Sequence, residues 1–366
     1  MLNWRDPKSP LAGGAERVTQ GYLSALVDRG HEVFWYANEF PGCAPTDTVN
    51  GIKIIRGGGK GSSIAQARRW YRTQPRFDLV IDQHHGIPWY APWWSGTNCV
   101  AYIHEVLGPI WDAFYKFPWN VIGKSQERWT HWLYRNVQFW TACESTRDDL
   151  QRQGVKKVQI IRYGVHTVAI PELEPKLFVP PLKLAMVSRL APNKRIEHGV
   201  RAVAALKTMG VASTLKIVGT GEYEHAIRKA VADYSLEREV TFVGGLRETE
   251  KDELLRGSHL LLHTSQREGW GLNVIEANAM GTPAAVYPVA GLRESTLDNE
   301  TGVVARGETP ELLAERIAEL LKVPGDYERL RRGAWERAKT FHWSKILPPA
   351  CDWLEEMAKG KGDRGK

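Results

Sequence analysis

Cysteine is scarce in this 366-residue chain: Cys43, Cys99, Cys143 and Cys351 are the only four, and no two form a CxxC pair. That spacing excludes a disulfide framework and a cysteine-based zinc site, and fits a reducing compartment. Long apolar runs are missing as well. None reaches the ~18 residues that cross a bilayer, and the N-terminal stretch carries no signal-peptide pattern, so a cytoplasmic protein is expected. There is no internal repeat of about 20–50 residues. A hydrophobic fraction of 43% with 25% charged residues excludes disorder over most of the length.

Charge is present but unevenly placed. Residues 1–165 hold 20 Lys/Arg against 14 Asp/Glu, a balance of +6, whereas residues 166–366 hold 29 against 28, a balance of +1. Nine of the fifteen tryptophans fall between Trp70 and Trp140. A basic, Trp-rich half suits an anionic substrate, a membrane surface or nucleic acid; equally, it suits a Trp-rich core under a solvated face.

The length suggests about two domains. Short apolar runs of strand length alternate with helical patterns: EVFWYA (32–37), DLVID (78–82), CVAYI (99–103), QFWTA (138–142) and VQIIR (158–162) in the first half. The second half continues with LKLAMVS (182–188), TLKIVG (214–219), EVTFVG (239–244), HLLLHTS (259–265), TPAAVYP (282–288) and TGVVA (301–305). This alternation predicts an α/β protein with parallel sheets covered by helices on both faces. Residues 166–181 carry four prolines and no helical period, and read as a linker between a domain over 1–165 and another over 182–341. The stretch 342–366 reads as a C-terminal helix followed by a short, frayed basic tail.

In open parallel sheets ligands bind beyond the carboxyl ends of the strands, and the unusual residues gather there. Gly13 and Gly14 lead into a helix, His104 follows CVAYI, and Arg189 and Lys194 follow LKLAMVS. Gly219 and Gly221 follow TLKIV; Glu268, Gly269, Trp270, Gly271 and Leu272 follow HLLLHTS. Glycine-exposed amides at helix starts bind anions, and Arg189 and Lys194 add charge where a diphosphate can lie. Glu268 and Glu276 stand eight positions apart. A helix beginning near Gly271 places Glu276 roughly 7–8 Å along its axis. Carboxylates beside phosphates are better used to accept hydrogen bonds from sugar and ribose hydroxyls; the bland alternative is a pair of acids complementing a helix dipole.

Together GGAER (13–17), His104, VSRLAPNK (187–194), VGTGE (218–222), the glutamate pair in REGWGLNVIEANAMGTP (267–283) and AGLRE (290–294) resemble the retaining glycosyltransferases of family GT4. The resemblance implies the GT-B architecture: two doubly wound, Rossmann-like parallel-sheet domains facing a central cleft, with acceptor bound by the first and nucleotide-sugar donor by the second. It implies that Arg189 and Lys194 bind the diphosphate and stabilise the departing charge, that Glu268 holds donor-sugar hydroxyls, and that Glu276 holds the ribose. Gly14 then approaches phosphate or sugar, His104 sits by the reacting centre, and Val243 and Gly244 hold the base through their backbone. No cofactor and no metal are expected, only a UDP-, GDP- or ADP-linked sugar as co-substrate. The last segment is expected to cross back to the first domain and, with 166–181, to let the cleft close. The chain departs from the family pattern in three places. MLNW is short for a first strand, whether as a start at an internal methionine or as a short strand; Ala290 replaces a usual glycine; Tyr163 stands where asparagine is common.

Rival readings fit less. A glycoside hydrolase leaves Arg189, Lys194 and the glycine loops unexplained, a nucleic-acid binder leaves the acids unexplained, and a non-catalytic nucleotide-sugar binder would need a damaged site where every motif residue is present. A nucleotide-sugar epimerase or a phosphorylase on the same architecture is the nearer alternative. His84, His85 and His263 read as structural, and Lys251 as solvated. The stretches WYAPWWSG (89–96) and FYKFPWNVIGKSQERWTHWLYR (114–135) interleave indoles with Lys116, Lys124, Arg128 and Arg135. They read either as packing or as a surface for an anionic membrane and a lipid-linked or carbohydrate acceptor.

Overall fold

The computed structural model describes residues 1–59, 61–108 and 110–360; the basic tail beyond 360 lies outside them. The chain divides into two units, Met1–Gly164 with the segment from Trp343 onward, and Val165–His342.

The first unit contains β1 (Phe34–Ala37), β2 (Thr46–Val49), β3 (Ile52–Arg56), β4 (Leu79–His84), β5 (Asn98–Ile103), β6 (Gln138–Thr141) and β7 (Lys157–Ile160). They lie in the orders β1-β3-β2 and β4-β5-β6-β7. Leu2 joins the two groups through parallel bridges to Tyr36 and Asp82, so one residue of the MLNW opening takes the place of a first strand. All pairings are parallel except β2 with β3. That hairpin corrects the wholly parallel reading. Asn50 and Gly51, at φ 50° and 78°, form its turn, the left-handed pair that matches the twist of the flanking strands. Trp35, Trp89, Trp140, Tyr102, Tyr134 and Phe139 fill the core. The helix Gly14–Asp28 meets the last helix, Trp343–Lys359, where the Tyr22 ring stands edge-on to Trp140 at 4.7 Å and to Trp343 at 5.1 Å.

The second unit contains β8 (Leu182–Val187), β9 (Ser213–Val218), β10 (Val240–Gly244), β11 (Leu260–His263), β12 (Ala284–Val286) and β13 (Gly302–Val304), all parallel, in the order β10-β9-β8-β11-β12-β13. Leu184, Ala185, Leu260, Leu261 and the three residues of β12 are buried, as continuous apolar runs covered on both faces require. The order reverses between β8 and β11. There the loops that follow β8 and β11 come together at the switch point of the sheet, the edge at which open α/β sheets bind ligands.

Residues 166–181 do not form a free linker. Ile170 N donates to Ala279 O (3.0 Å), Lys176 Nζ to Ser258 O (2.7 Å), Arg331 Nη2 to Glu174 O (3.0 Å) and Trp335 Nε1 to Ile170 O (2.7 Å). Prolines keep this stretch extended, and its backbone groups find partners on the second unit instead of in a helix. The chain crosses between units at Gly164–Val165 and returns at His342–Trp343.

Candidate active site

The crevice at the β8/β11 reversal is built from residues 188–195 and 264–271. Side chains and backbone fasten these loops together: Thr264 Oγ1 donates to the carbonyls of Lys194 (3.2 Å) and Arg195 (2.8 Å), Gln266 N to Asn193 O (2.9 Å), and Asn273 Nδ2 to Val187 O (2.8 Å). Across the join, Lys194 Nζ lies 2.7 Å from Glu268 Oε2, and His263 Nε2 lies 3.4 Å from the same oxygen. Burial alone would raise the Glu268 carboxyl; the Lys194 ammonium and the His263 ring outweigh it and hold the group well below the usual carboxylate range. Arg189 stands exposed on the rim and forms no ion pair with any described residue. The join therefore brings together a cation already in contact with a carboxylate and a second cation, Arg189, that makes no ion pair among the described residues.

The glycines of this edge divide by what a Cβ would meet. Gly271, at φ 80°, caps the helix Leu272–Ala279 in a conformation that disfavours a side chain. A Cβ on Gly291 would lie 2.1 Å from Glu268 O, so AGLRE packs directly beneath the glutamate's backbone. Gly219 and Gly221 were expected to touch donor. A Cβ on them would fall 1.9 Å from Ser188 O and 2.2 Å from Leu190 O, so VGTGE packs closely against the loop that carries Arg189. Trp270, also expected at the donor, is a core residue whose ring packs on Phe341 at 5.3 Å. Gly269 is buried beside it, and Leu272, the first helical residue, is half-buried. At the end of β10 the register shifts between Phe242 and Gly244, which leaves Val243 bulged from the ladder. Gly244 turns at φ 77° and its carbonyl accepts from Gly219 N at 2.8 Å.

Glu276 is the fifth residue of its helix and is buried. Its Oε2 lies 2.9 Å from Lys251 Nζ. Lys251 is thus not solvated: it is 6% exposed on the helix Glu248–Gly257 and also reaches Glu248 Oε2 at 2.7 Å.

At the edge of the first unit, His104 follows β5. Its Nδ1 is 2.6 Å from Tyr163 Oη, so the tyrosine in the place of the usual asparagine is a direct partner. The other ring nitrogen, Nε2, is buried with no hydrogen-bond partner among the described residues. Burial, with repulsion from His85 and Arg5, pushes the ring down to about 3. Gly13 N, expected to face a phosphate, already donates to Glu16 Oε2 at 2.7 Å, and Glu16 is paired with Arg5 Nε at 3.2 Å. A carboxylate caps this helix start and would repel a phosphate at that amide. Gly14 opens the helix itself.

Two family models match in tandem: Glycosyltransferase Family 4 over residues 12–168 and Glycosyl transferases group 1 over residues 173–337. The chain belongs to the family 4 glycosyltransferases. It is 27% identical over 238 residues to glycogen synthase of Mycobacterium tuberculosis H37Rv, covering 64% of this chain and 57% of that protein. It is 30% identical over 169 residues to D-inositol 3-phosphate glycosyltransferase of Corynebacterium glutamicum strain R, covering 44% of this chain and 40% of that one. The chain thus spans about half the length of these relatives. Sucrose-phosphate synthase from Thermosynechococcus elongatus shares the fold at a TM-score of 0.81 with 18% identity, each chain covered to 98%. Anabaena HepE, solved with UDP and glucose, does so at 0.73 with 17% identity, covering 97% and 99%. The fold is GT-B.

In this family member the sequence alone brought Arg189, Lys194, Glu268 and Glu276 to the sheet edge but missed four partners. His263 was legible only as the end of a buried strand, and Asn273 only as a polar residue early in a helix. Lys251 and Tyr163 meet their acid and histidine through folding, with no local signal in spacing.

Proposed function

We propose that this glycosyltransferase moves a hexosyl sugar from a nucleotide-diphosphate donor to a hydroxyl acceptor with retention of anomeric configuration. The observation that carries the reading is the Lys194–Glu268 contact at 2.7 Å across the β8/β11 crevice, with Arg189 on its rim in no ion pair among the described residues. Arg189 and Lys194 take the diphosphate and offset charge as the leaving group departs. Glu268, kept ionised, accepts hydrogen bonds from sugar hydroxyls, and Glu276 accepts from the ribose. The bulge at Val243 turns backbone groups toward the base. The first unit takes the acceptor. There Tyr163 Oη contacts Nδ1 of His104 at 2.6 Å; in the tautomer where the tyrosine donates, the Nε2 proton is the one offered to a sugar oxygen. No side chain is assigned as nucleophile; attack comes from the face the leaving group vacates. The cations and the helix start carry the electrostatic role, and no metal is required in this scheme.

The test is a panel of UDP-, GDP- and ADP-sugars with simple glycoside acceptors, followed by proton NMR of the product's anomeric signal. Nucleotide diphosphate release with an α-product from an α-donor is expected. An inverted product contradicts retention; interconversion of the donor sugar without nucleotide release favours the epimerase alternative, and dependence on inorganic phosphate the phosphorylase.

The same reading extends to a cell-envelope or polysaccharide role at an anionic membrane, with a glycan, glycolipid or lipid-linked acceptor. No helix among the described residues is long and apolar enough to cross a membrane, so the contact is peripheral. On the helix Trp119–Leu133, Val121, Ile122, Arg128, Trp129 and Trp132 are all exposed; at 100° per residue they share an arc of roughly 120°. Phe117 and Trp119 beside it are 81% and 65% exposed. Indoles with a cation on one open face suit an interface. On the inward face Glu127 accepts from Leu107 N (2.7 Å) and Gly108 N (3.0 Å), tying this helix to the loop that follows His104. Co-sedimentation with vesicles containing anionic lipid is expected, and is lost in Trp129→Ser/Trp132→Ser. No binding by the wild type at low salt overturns this part.

A further inference from the structure

Lys251 sits at a position where the sequence suggests a solvated face, between glutamates on a polar helix. It is instead turned inward and 6% exposed. A buried ammonium is tolerated only with charged partners, and it has two of different kinds. Glu248, one turn earlier on the same helix, is 54% exposed at its side chain and is readily served by water. Glu276 comes from the next helix, is itself buried, and takes the ammonium at 2.9 Å through Oε2. Its other oxygen, Oε1, accepts no hydrogen bond from any described residue apart from Lys251. Burial alone would lower the Lys251 ammonium, but Glu276 and Glu248 raise it, so the cation stays charged.

A pinned carboxylate with one unclaimed oxygen is a preorganised acceptor. Its orientation is fixed before the ligand arrives, so little ordering remains to be done on binding. A buried pair of this sort gives little stability over an apolar pair of equal volume; its gain lies in what it holds in place. We propose that Lys251 is a positioning residue: it orients Glu276 for a ribose hydroxyl and so sets the preference of the site for ribonucleoside over 2′-deoxyribonucleoside diphosphates. The proposal rests on the reading of Glu276 as the ribose acceptor.

The experiment is calorimetric titration of UDP and 2′-deoxy-UDP, with the GDP and ADP pairs in the same format, into wild type, Glu276→Gln, Lys251→Met and Lys251→Arg. The readout is the ratio of ribo to deoxy affinity, which partial unfolding of a variant does not alter. Wild type is expected to prefer the ribonucleotide by about tenfold, the scale of one hydrogen bond to a charged group. Glu276→Gln removes the preference. Lys251→Met also brings it within about twofold while leaving the deoxy affinity unchanged, and Lys251→Arg restores most of it. Should Lys251→Met keep the wild-type ratio while Glu276→Gln loses it, the proposal is overturned and the ribose reading stands. Should Glu276→Gln keep the ratio, or no nucleoside diphosphate bind, the ribose reading fails and takes the proposal with it.

Discussion

Lys194 and Glu268 come from loops more than seventy residues apart in sequence and meet at 2.7 Å where the strand order of the second unit reverses. The pair holds the glutamate ionised against its own burial. Removing the cation has a signed consequence. A carboxyl held low in the folded state adds stability above its unfolded value, and that stability is lost as pH falls through the folded one. Lys194→Met removes much of this contribution and raises the Glu268 carboxyl. Its turnover is expected to fall about 10²–10³-fold, with the acid limb of the pH–rate profile moved upward. An acid limb unchanged from wild type counts against the coupling.

His104 is expected to stay neutral throughout the working range. Its ring is pushed down to about 3 by burial, against an unfolded value of about 6.5. The unfolded chain binds the proton first, so this group's contribution to stability is complete above pH ~6.5 and is lost as pH falls from there toward 3. NMR of the ring should show no titration between pH 5 and 8. A midpoint near 6.5 in the folded protein contradicts the burial argument. Tyr163→Phe removes the Nδ1 partner and should lower turnover about tenfold without bringing in a new ionisation near neutrality.

Asp6 and Arg56 form the most deeply buried ion pair of the first unit: Nε donates to Oδ2 at 2.6 Å and Nη2 to Oδ1 at 3.0 Å, with side chains 0% and 1% exposed. It anchors the loop that leads to Gly13 onto β3. Arg56→Met strands the Asp6 charge and should cost about 3–5 kcal/mol in denaturant unfolding. A loss under about 1 kcal/mol indicates that Asp6 reaches water or a proton instead.

Gly291→Ala tests the support beneath the proposed donor site. The new Cβ falls 2.1 Å from Glu268 O, so the backbone of the glutamate must move. Overpacking of this kind costs about 1–3 kcal/mol, and nucleotide-sugar affinity should fall with it. Gly257→Ala, where nothing lies within 4 Å of the new carbon, is the control and should be silent in both measurements. Equal behaviour of the two variants removes the argument for AGLRE as a spacer.

Much of this was legible in the chain itself. Each apolar run read as a strand from EVFWYA to TGVVA is one; strands buried on both faces leave continuous hydrophobic runs, and β7, alternately exposed and half-buried, is the exception. The β2–β3 hairpin was passed over because TDTV is mostly polar and IKIIR is broken by Lys53, so neither shows a continuous apolar run; the Asn50-Gly51 pair was the available signal. Gly13–Gly14 and Gly269–Leu272 were read as anion nests, and Gly219 and Gly221 as donor-binding. Only coordinates separate Gly271, in a left-handed cap, from Gly219 and Gly221, which make room for backbone. Charge was hardest to place. Lys251 and Lys194 look alike in sequence, and which of them is buried against which acid depends on contacts between helices and loops that no local pattern encodes.

The most direct test of the central claim is titration of UDP, GDP and ADP into the wild-type protein and Arg189→Ala. One of the three should bind the wild type, and its affinity should drop at least about tenfold when the uncompensated rim cation is removed, the scale of a lost charged hydrogen bond. Equal affinity in the two proteins, or no binding to the wild type by any of the three, contradicts a diphosphate site at the β8/β11 crevice.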